Sequence, residues 1–168
     1  MARASFLSIG NPRKVIEQLR PLLTAQELQK IEDAANAQVQ LLFDLALSHF
    51  RFSERLANAH WRQRISRYYY AAYSASKCVR LFVQGEHSKE VADHKKVGAV
   101  PNDFPDRALY EAQLAVLRED RNSCDYDHEF SVGELVISQR EASELVRKFL
   151  IDTKVYVGGR GLALAGKV

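Results

Sequence analysis

Between Arg118 and His128 the chain places two arginines, three aspartates, a tyrosine and a histidine in eleven positions. Such residues can cleave RNA without a metal. That reaction needs a base at the 2′-hydroxyl, an acid for the departing 5′-oxygen and a cation at the crowded phosphorus. An imidazole with an ordinary pKa of about 6.5 is half ionised near neutrality and serves either proton role. A guanidinium offers phosphate a planar fork of donors. Arg121 and His128 are therefore the candidate catalytic pair. Tyr126 is the alternative to the histidine, although at a pKa of about 10 it is a poor base at neutral pH. The plainer reading of the same residues is a salt-bridged helix end, with Arg121 paired to Asp125 one turn on and His128 exposed.

Helical periodicity accounts for the elements that must hold this stretch. Asn11 and Pro12 predict a helix start, Pro21 stops that helix within about two turns, and residues 1 to 10 are expected to be loosely held. Thr24-Ala25-Gln26-Glu27 has capping-box spacing, followed by Leu28, Ile31, Ala35, Val39, Leu42, Ala46 and His49 at steps of three and four. Leu41, Phe43, Leu45 and Leu47 add apolar bulk off that stripe, as a bundle centre or a subunit interface would need. After a break between Phe52 and His60, a second long helix buries Trp61, Ile65, Tyr68, Ala72, Ala75, Val79 and Phe82 and ends near Gly85.

Beside that stripe Arg62, Ser66, Tyr69, Tyr73, Lys77 and Arg80 interleave cations with tyrosines. Of these, Arg62, Tyr69, Tyr73, Lys77 and Arg80 form a candidate RNA-binding flank together with Arg118, the cations for phosphates and the rings for unpaired bases. Glu86 to Asp106 is expected to be a loop with one helical turn. His87 and His94 within it match no zinc spacing. Pro105 opens a third helix with Leu109, Ala112, Val116 and Leu117 inward and Arg107, Glu111, Leu114, Arg118 and Arg121 on another side. Ser131-Val132-Gly133-Glu134 is a second capping box, opening a fourth helix that runs to about Lys154 with Leu135, Ser138, Ala142, Leu145 and Phe149 inward. No strand pattern or internal repeat occurs. An all-α, four-helix up-and-down bundle with a short N-terminal helix is expected, as one domain over residues 1–157 and a flexible Gly-rich tail over 158–168.

Several motifs resemble those of the HEPN domains, small helical bundles common in prokaryotic toxin and defence systems. Arg121 to Asp127 is similar to the Arg-x-x-Ala-Asp-Tyr-Asp variant of one branch, with Cys124 in place of the alanine. Ser66 to Ala75 resembles the family's second helix, and the link around His94 also matches; the resemblance spans about Gln40 to Phe149. It implies a ribonuclease motif of an arginine followed after four to six residues by a histidine, which here gives Arg121 and His128. In the commonest toxin form the histidine precedes the tyrosine; here Tyr126 comes first and His128 lies seven residues past Arg121. The resemblance also implies a homodimer, RNA as a partner, a toxin–antitoxin or defence setting and, as the noncatalytic alternative, a module that accompanies a nucleotidyltransferase. A ligand-sensing bundle that takes a nucleotide in the basic cleft is a third reading.

Composition narrows the field. At 168 residues and 46% apolar the chain can bury a core without staples. Twenty-four basic against twenty-one acidic residues give +3 and a pI near 8.9, which permits an anionic partner without requiring one. Cys78 and Cys124 lack redox or zinc spacing and are expected as reduced thiols in a cytoplasmic protein. The first thirty residues hold no secretory-signal pattern and no run is long enough for a membrane helix. Gly-rich phosphate loops, nucleophile elbows and H-E-x-x-H are missing, so no cofactor or metal is expected.

Overall fold

The computed structural model describes residues 12–86, 88 and 91–168, and five α-helices and three short 3₁₀ turns make up the regular structure there, with no strand among the described residues. The expectations for residues 1 to 10, the Asn11 cap and His87 lie outside them. Helix α1, Pro12–Leu19, starts on its proline and ends before Pro21. Helix α2, Ala25–Arg55, opens with the expected box: Glu27 N–H donates to Thr24 Oγ1 at 3.3 Å, and Thr24 N–H donates to Glu27 Oε2 at 2.9 Å. Its buried positions are Ala35, Val39, Phe43, Ala46, Leu47, Phe50 and Ser53. Phe43 and Leu47 thus belong to the core, whereas Leu41 and Leu45 are 54% and 46% exposed.

Leu56 is extended and ends α2, the 3₁₀ turn Asn58–His60 reverses the chain, and α3 runs from Trp61 to Gln84. Gly85 closes it at φ 66, a left-handed conformation that a side chain would strain. Buried residues surround α3, which packs against α2, α4 (Arg107–Tyr126) and α5 (Gln139–Gly158). Ala71, Ala72, Ser74, Ala75 and Ser76 supply the small side chains that let those neighbours approach. A second 3₁₀ stretch, Val91–Lys96, lies in the link to α4. Beyond it Gly98 touches the α4 backbone so closely that a Cβ would sit 2.8 Å from the Glu111 Cα.

Helix α4 is rotated from the expected stripe. Its buried residues are Tyr110, Leu114, Leu117, Asp120 and Cys124; Leu109 and Ala112 are exposed and Leu114 faces inward. The rotation brings in two polar residues whose needs are met inside. Tyr110 packs 4.7 Å from the Phe149 ring and donates to Asp152 Oδ2 at 2.5 Å, while the Asp120 carboxylate accepts from Val136 N–H at 3.1 Å and Ile137 N–H at 2.8 Å.

Asp120 also corrects the start of the fourth long helix. The Ser131–Glu134 box forms, but it closes only the 3₁₀ turn Val132–Glu134. Asp120 holds the next amides out of a helix, and α5 begins at Gln139 under a further box, with Glu141 N–H donating to Ser138 Oγ at 3.3 Å. The tail, for which disorder or loose docking is the expectation, lies along α2: Leu164 is buried, Ala165 N–H donates to Gln40 Oε1 at 2.9 Å, and Arg51 donates to the Lys167 carbonyl at 2.6 Å. Scattered leucines suffice because α2 offers both apolar cover and side-chain partners. No helix among the described residues is long and apolar enough to cross a membrane.

The assignment of the α5 start is open to a direct check. Ser138→Ala should lower the unfolding free energy in urea by about 1 kcal/mol, the usual loss on deleting an N-cap hydroxyl. Ser131→Ala, at a turn that caps no long helix, should cost clearly less.

Candidate functional site

Arg121 sits in the last turns of α4, facing α3, and its side chain is 13% exposed. Its Nη2 donates to Tyr70 Oη at 2.6 Å, its Nη1 donates to Asn122 Oδ1 at 3.1 Å, and Nε lies 2.9 Å from Asp125 Oδ2. Rings of Tyr69, Tyr70 and Tyr126 surround the guanidinium at 5.4, 5.2 and 5.7 Å. Burial by itself would lower the arginine pKa, but Asp125, Tyr70 and Tyr126 hold it above the ordinary value. Arg121 is therefore a fixed positive charge on an aromatic seat.

The other two residues of the expected catalytic set lie at or past the helix end. Tyr126 is the last residue of α4 and is 74% exposed. His128 is exposed in the following turn, and its ring makes no hydrogen bond, ion pair or ring contact among the described residues. The fold thus brings Tyr126 to Arg121 and leaves His128 apart from both. Arg62 holds this turn: from the first turn of α3 its guanidinium donates to the carbonyls of Cys124 at 2.8 Å and Asp127 at 2.7 Å, and also to that of Phe130. The first two are carbonyls that a helix end leaves without partners.

Of the expected RNA-binding flank, Arg62 is thus engaged as a cap, and the middle is covered. Tyr69 is fully buried. Arg80 is 2% exposed, and its Nη1 and Nη2 donate to the two Asp93 oxygens at 2.8 Å each. Tyr73 Oη donates to the same carboxylate at 2.8 Å, and Lys77 Nζ donates to the Ser88 carbonyl at 2.7 Å. Burial alone would raise the Asp93 pKa, yet Arg80 and Tyr73 bring it down to about 2. Arg118 remains at the surface, partly exposed and beside Glu119. The interleaved stripe is real, but the Val91–Lys96 segment lies over much of it.

That segment delivers the residue that spacing along the chain did not bring to the site. His94 stacks on Tyr73 at 4.2 Å with planes 15° apart, its Nδ1 is 2.6 Å from Tyr69 Oη, and it meets Tyr70 edge-on at 6.2 Å. His94 and Arg121 therefore share Tyr69 and Tyr70. Burial lowers the His94 pKa first, and the charges of Arg121 and Lys77 lower it further against the pull of Asp93. His49 of α2 also meets Tyr70, with ring centroids 5.7 Å apart and Arg67 Nη1 3.3 Å from its Nδ1. Next to this cluster a cavity of about 280 Å³ is lined by Arg62, Gln63, Ser66, Arg67, Cys124 and Asp125. Among the described residues no group of three or more metal-ligating side chains occurs.

Compared with known proteins, the chain matches no family model, no curated protein and no solved structure.

Two measurements check this geometry. Asp93 has a folded pKa of about 2 against an ordinary 3.8, so its contribution is complete above about pH 4 and is lost as pH falls toward 2. Denaturant unfolding followed across that window should show stability falling in the wild type. Asp93→Asn should show a shallower fall and should be destabilised by about 3–5 kcal/mol at neutral pH, the usual cost of stranding a buried charge. Arg62→Ala should lower hydrogen-exchange protection at the end of α4 by about tenfold or more, since charge-assisted bonds of about 1.5–3 kcal/mol are lost there. Unchanged protection would mean that Arg62 does not hold the turn.

Proposed function

We propose that this chain is a HEPN-like domain that acts on RNA, its four long helices forming an up-and-down bundle, and that it is a metal-independent endoribonuclease of a toxin–antitoxin or defence system. What carries the reading is Arg121, a permanently charged guanidinium held at the helix end among three tyrosine rings, one of them the exposed Tyr126. A phosphate entering beside Tyr126 meets a preorganised cation, and such preorganisation is what stabilises a pentacoordinate phosphorus. The exposed tyrosine offers an unpaired base a stacking partner, and Arg118 adds a second phosphate contact. In this reading His128, seven residues past Arg121 and beyond the end of α4, swings in to protonate the departing 5′-oxygen, and the product is a 2′,3′-cyclic phosphate. The protein acts in the cytoplasm as a homodimer, the second copy covering Leu41, Leu45 and Phe52, which lie exposed along one face of α2.

A second reading has its own support. Arg121 already has Asp125 and Tyr70 as partners, which suits a noncatalytic dimeric module that binds RNA or accompanies a nucleotidyltransferase.

Cleavage of single-stranded RNA in EDTA separates the two. Under the first reading Arg121→Ala abolishes turnover and His128→Ala lowers the rate by about 10² to 10⁴, the usual worth of a positioned proton-transfer group. Full loss in Tyr126→Phe with none in His128→Ala moves the proton role to the tyrosine. Cleavage that requires metal or survives Arg121→Ala leaves the binding module in front. In binding assays Arg118→Ala should reduce the slope of log affinity against log salt by about 1. Light scattering should give twice the 19.1 kDa of one chain.

A further inference from the structure

We infer that His94 is the general base of the Arg121 site, taking the proton from the 2′-hydroxyl of a single-stranded RNA whose phosphate Arg121 holds. This rests on the RNA-cleaving reading and adds to it a residue 27 positions before Arg121 in the chain.

The argument starts from the hydrogen bonds of Tyr69. Its hydroxyl lies 2.6 Å from His94 Nδ1 and 3.4 Å from the His94 carbonyl oxygen. A carbonyl only accepts, so a bond to it takes the single hydroxyl proton of Tyr69. Both contacts are then satisfied at once in one arrangement alone, with Nδ1–H donating to Tyr69 Oη and Tyr69 Oη–H donating to the carbonyl. That tautomer leaves the lone pair on Nε2. Nε2 makes no hydrogen bond among the described residues and is not a buried atom lacking a partner, so it reaches solvent. A lone pair on a ring clamped face-on by Tyr73 and fixed at its other nitrogen is what a general base requires.

The clamp is built from buried groups. Asp93, the residue before His94, is locked to Arg80 and Tyr73, so the backbone that carries the imidazole cannot drift. Arg121 lies across the faces of Tyr69 and Tyr70, the same two rings that His94 meets. Partial burial and then the nearby positive charge lower the imidazole pKa, which favours the neutral form that accepts a proton. In the step itself the 2′-oxygen forms its bond to phosphorus as its proton passes to Nε2. The bond from phosphorus to the 5′-oxygen breaks, and His128 supplies that oxygen with a proton. Solvent then returns both histidines to their starting forms.

The test uses the full chain, a synthetic single-stranded RNA and EDTA. His94→Ala should slow cleavage by about 10² to 10⁴. Free imidazole should restore much of the loss, whereas it should not restore Arg121→Ala. Cleavage at the wild-type rate in His94→Ala, with Arg121→Ala inactive, overturns this assignment and leaves the ribonuclease reading standing. No cleavage by the wild type overturns both. The nitrogen spectrum of the wild-type imidazole gives a check independent of folding in the variant. Nδ1 should carry the proton, and Nε2 should shift when an RNA blocked by 2′-O-methyl groups is added; a protonated Nε2 in the free protein, or no shift, overturns the proposal.

Discussion

The buried pair of Arg80 and Asp93 is the constraint on which the rest of the site depends. A guanidinium that is 2% exposed has left water, and only a counter-ion with matched geometry offsets that cost. Asp93 provides both oxygens, and Tyr73 adds a third bond to the same carboxylate. The pair therefore decides where the Val91–Lys96 segment lies, how much of α3 it covers and where the His94 ring is presented. Without it the tyrosines of α3 would face solvent as a cationic stripe instead of forming the floor of a cluster.

A second set of polar contacts does the same for the end of α4. Arg62 gathers carbonyls that the helix leaves without partners, and Asp120 gathers the amides of Val136 and Ile137. Between them the chain from Asp127 to Ser138 is determined by side chains that belong to other elements. Tyr126 and His128 are exposed for this reason, and Arg121 stays within reach of α3. Neither Arg62 nor Asp120 touches the candidate phosphate site, yet each sets its shape.

Both arrangements hang on α3, whose small residues admit three other helices and whose tyrosines project from more than one side. The apolar interior around Phe43, Tyr68, Tyr110 and Phe149 supplies the driving force for packing. The polar pairs add little net attraction and specify which segment lies where. The result is a cluster of Tyr69, Tyr70 and Tyr73 in which Arg121 and His94 share the first two rings.

Much of this was legible in the residue order, because the signals involved act over a few positions. Thr24 with Glu27, Gly85 and the proline at 12 mark helix ends through local hydrogen bonds and fixed dihedrals, whereas α4 starts two residues after Pro105, behind a left-handed Asp106. Steps of three and four mark helix faces, and the closeness of Arg121, Asp125 and Tyr126 follows from one helical turn. The tertiary structure decided what depends on partners far along the chain. Arg80 reads as a surface cation until Asp93, thirteen residues on, removes it from water, and Tyr69 selects His94 from twenty-five residues away. Ser131 and Ser138 carry the same local signal, and the contact of Asp120 with the amides between them decides which one opens the long helix. The tail shows only glycines and scattered apolar residues until α2 offers a surface for Leu164. Periodicity records which residues share a face; desolvation, which needs the partner in place, decides which face is covered.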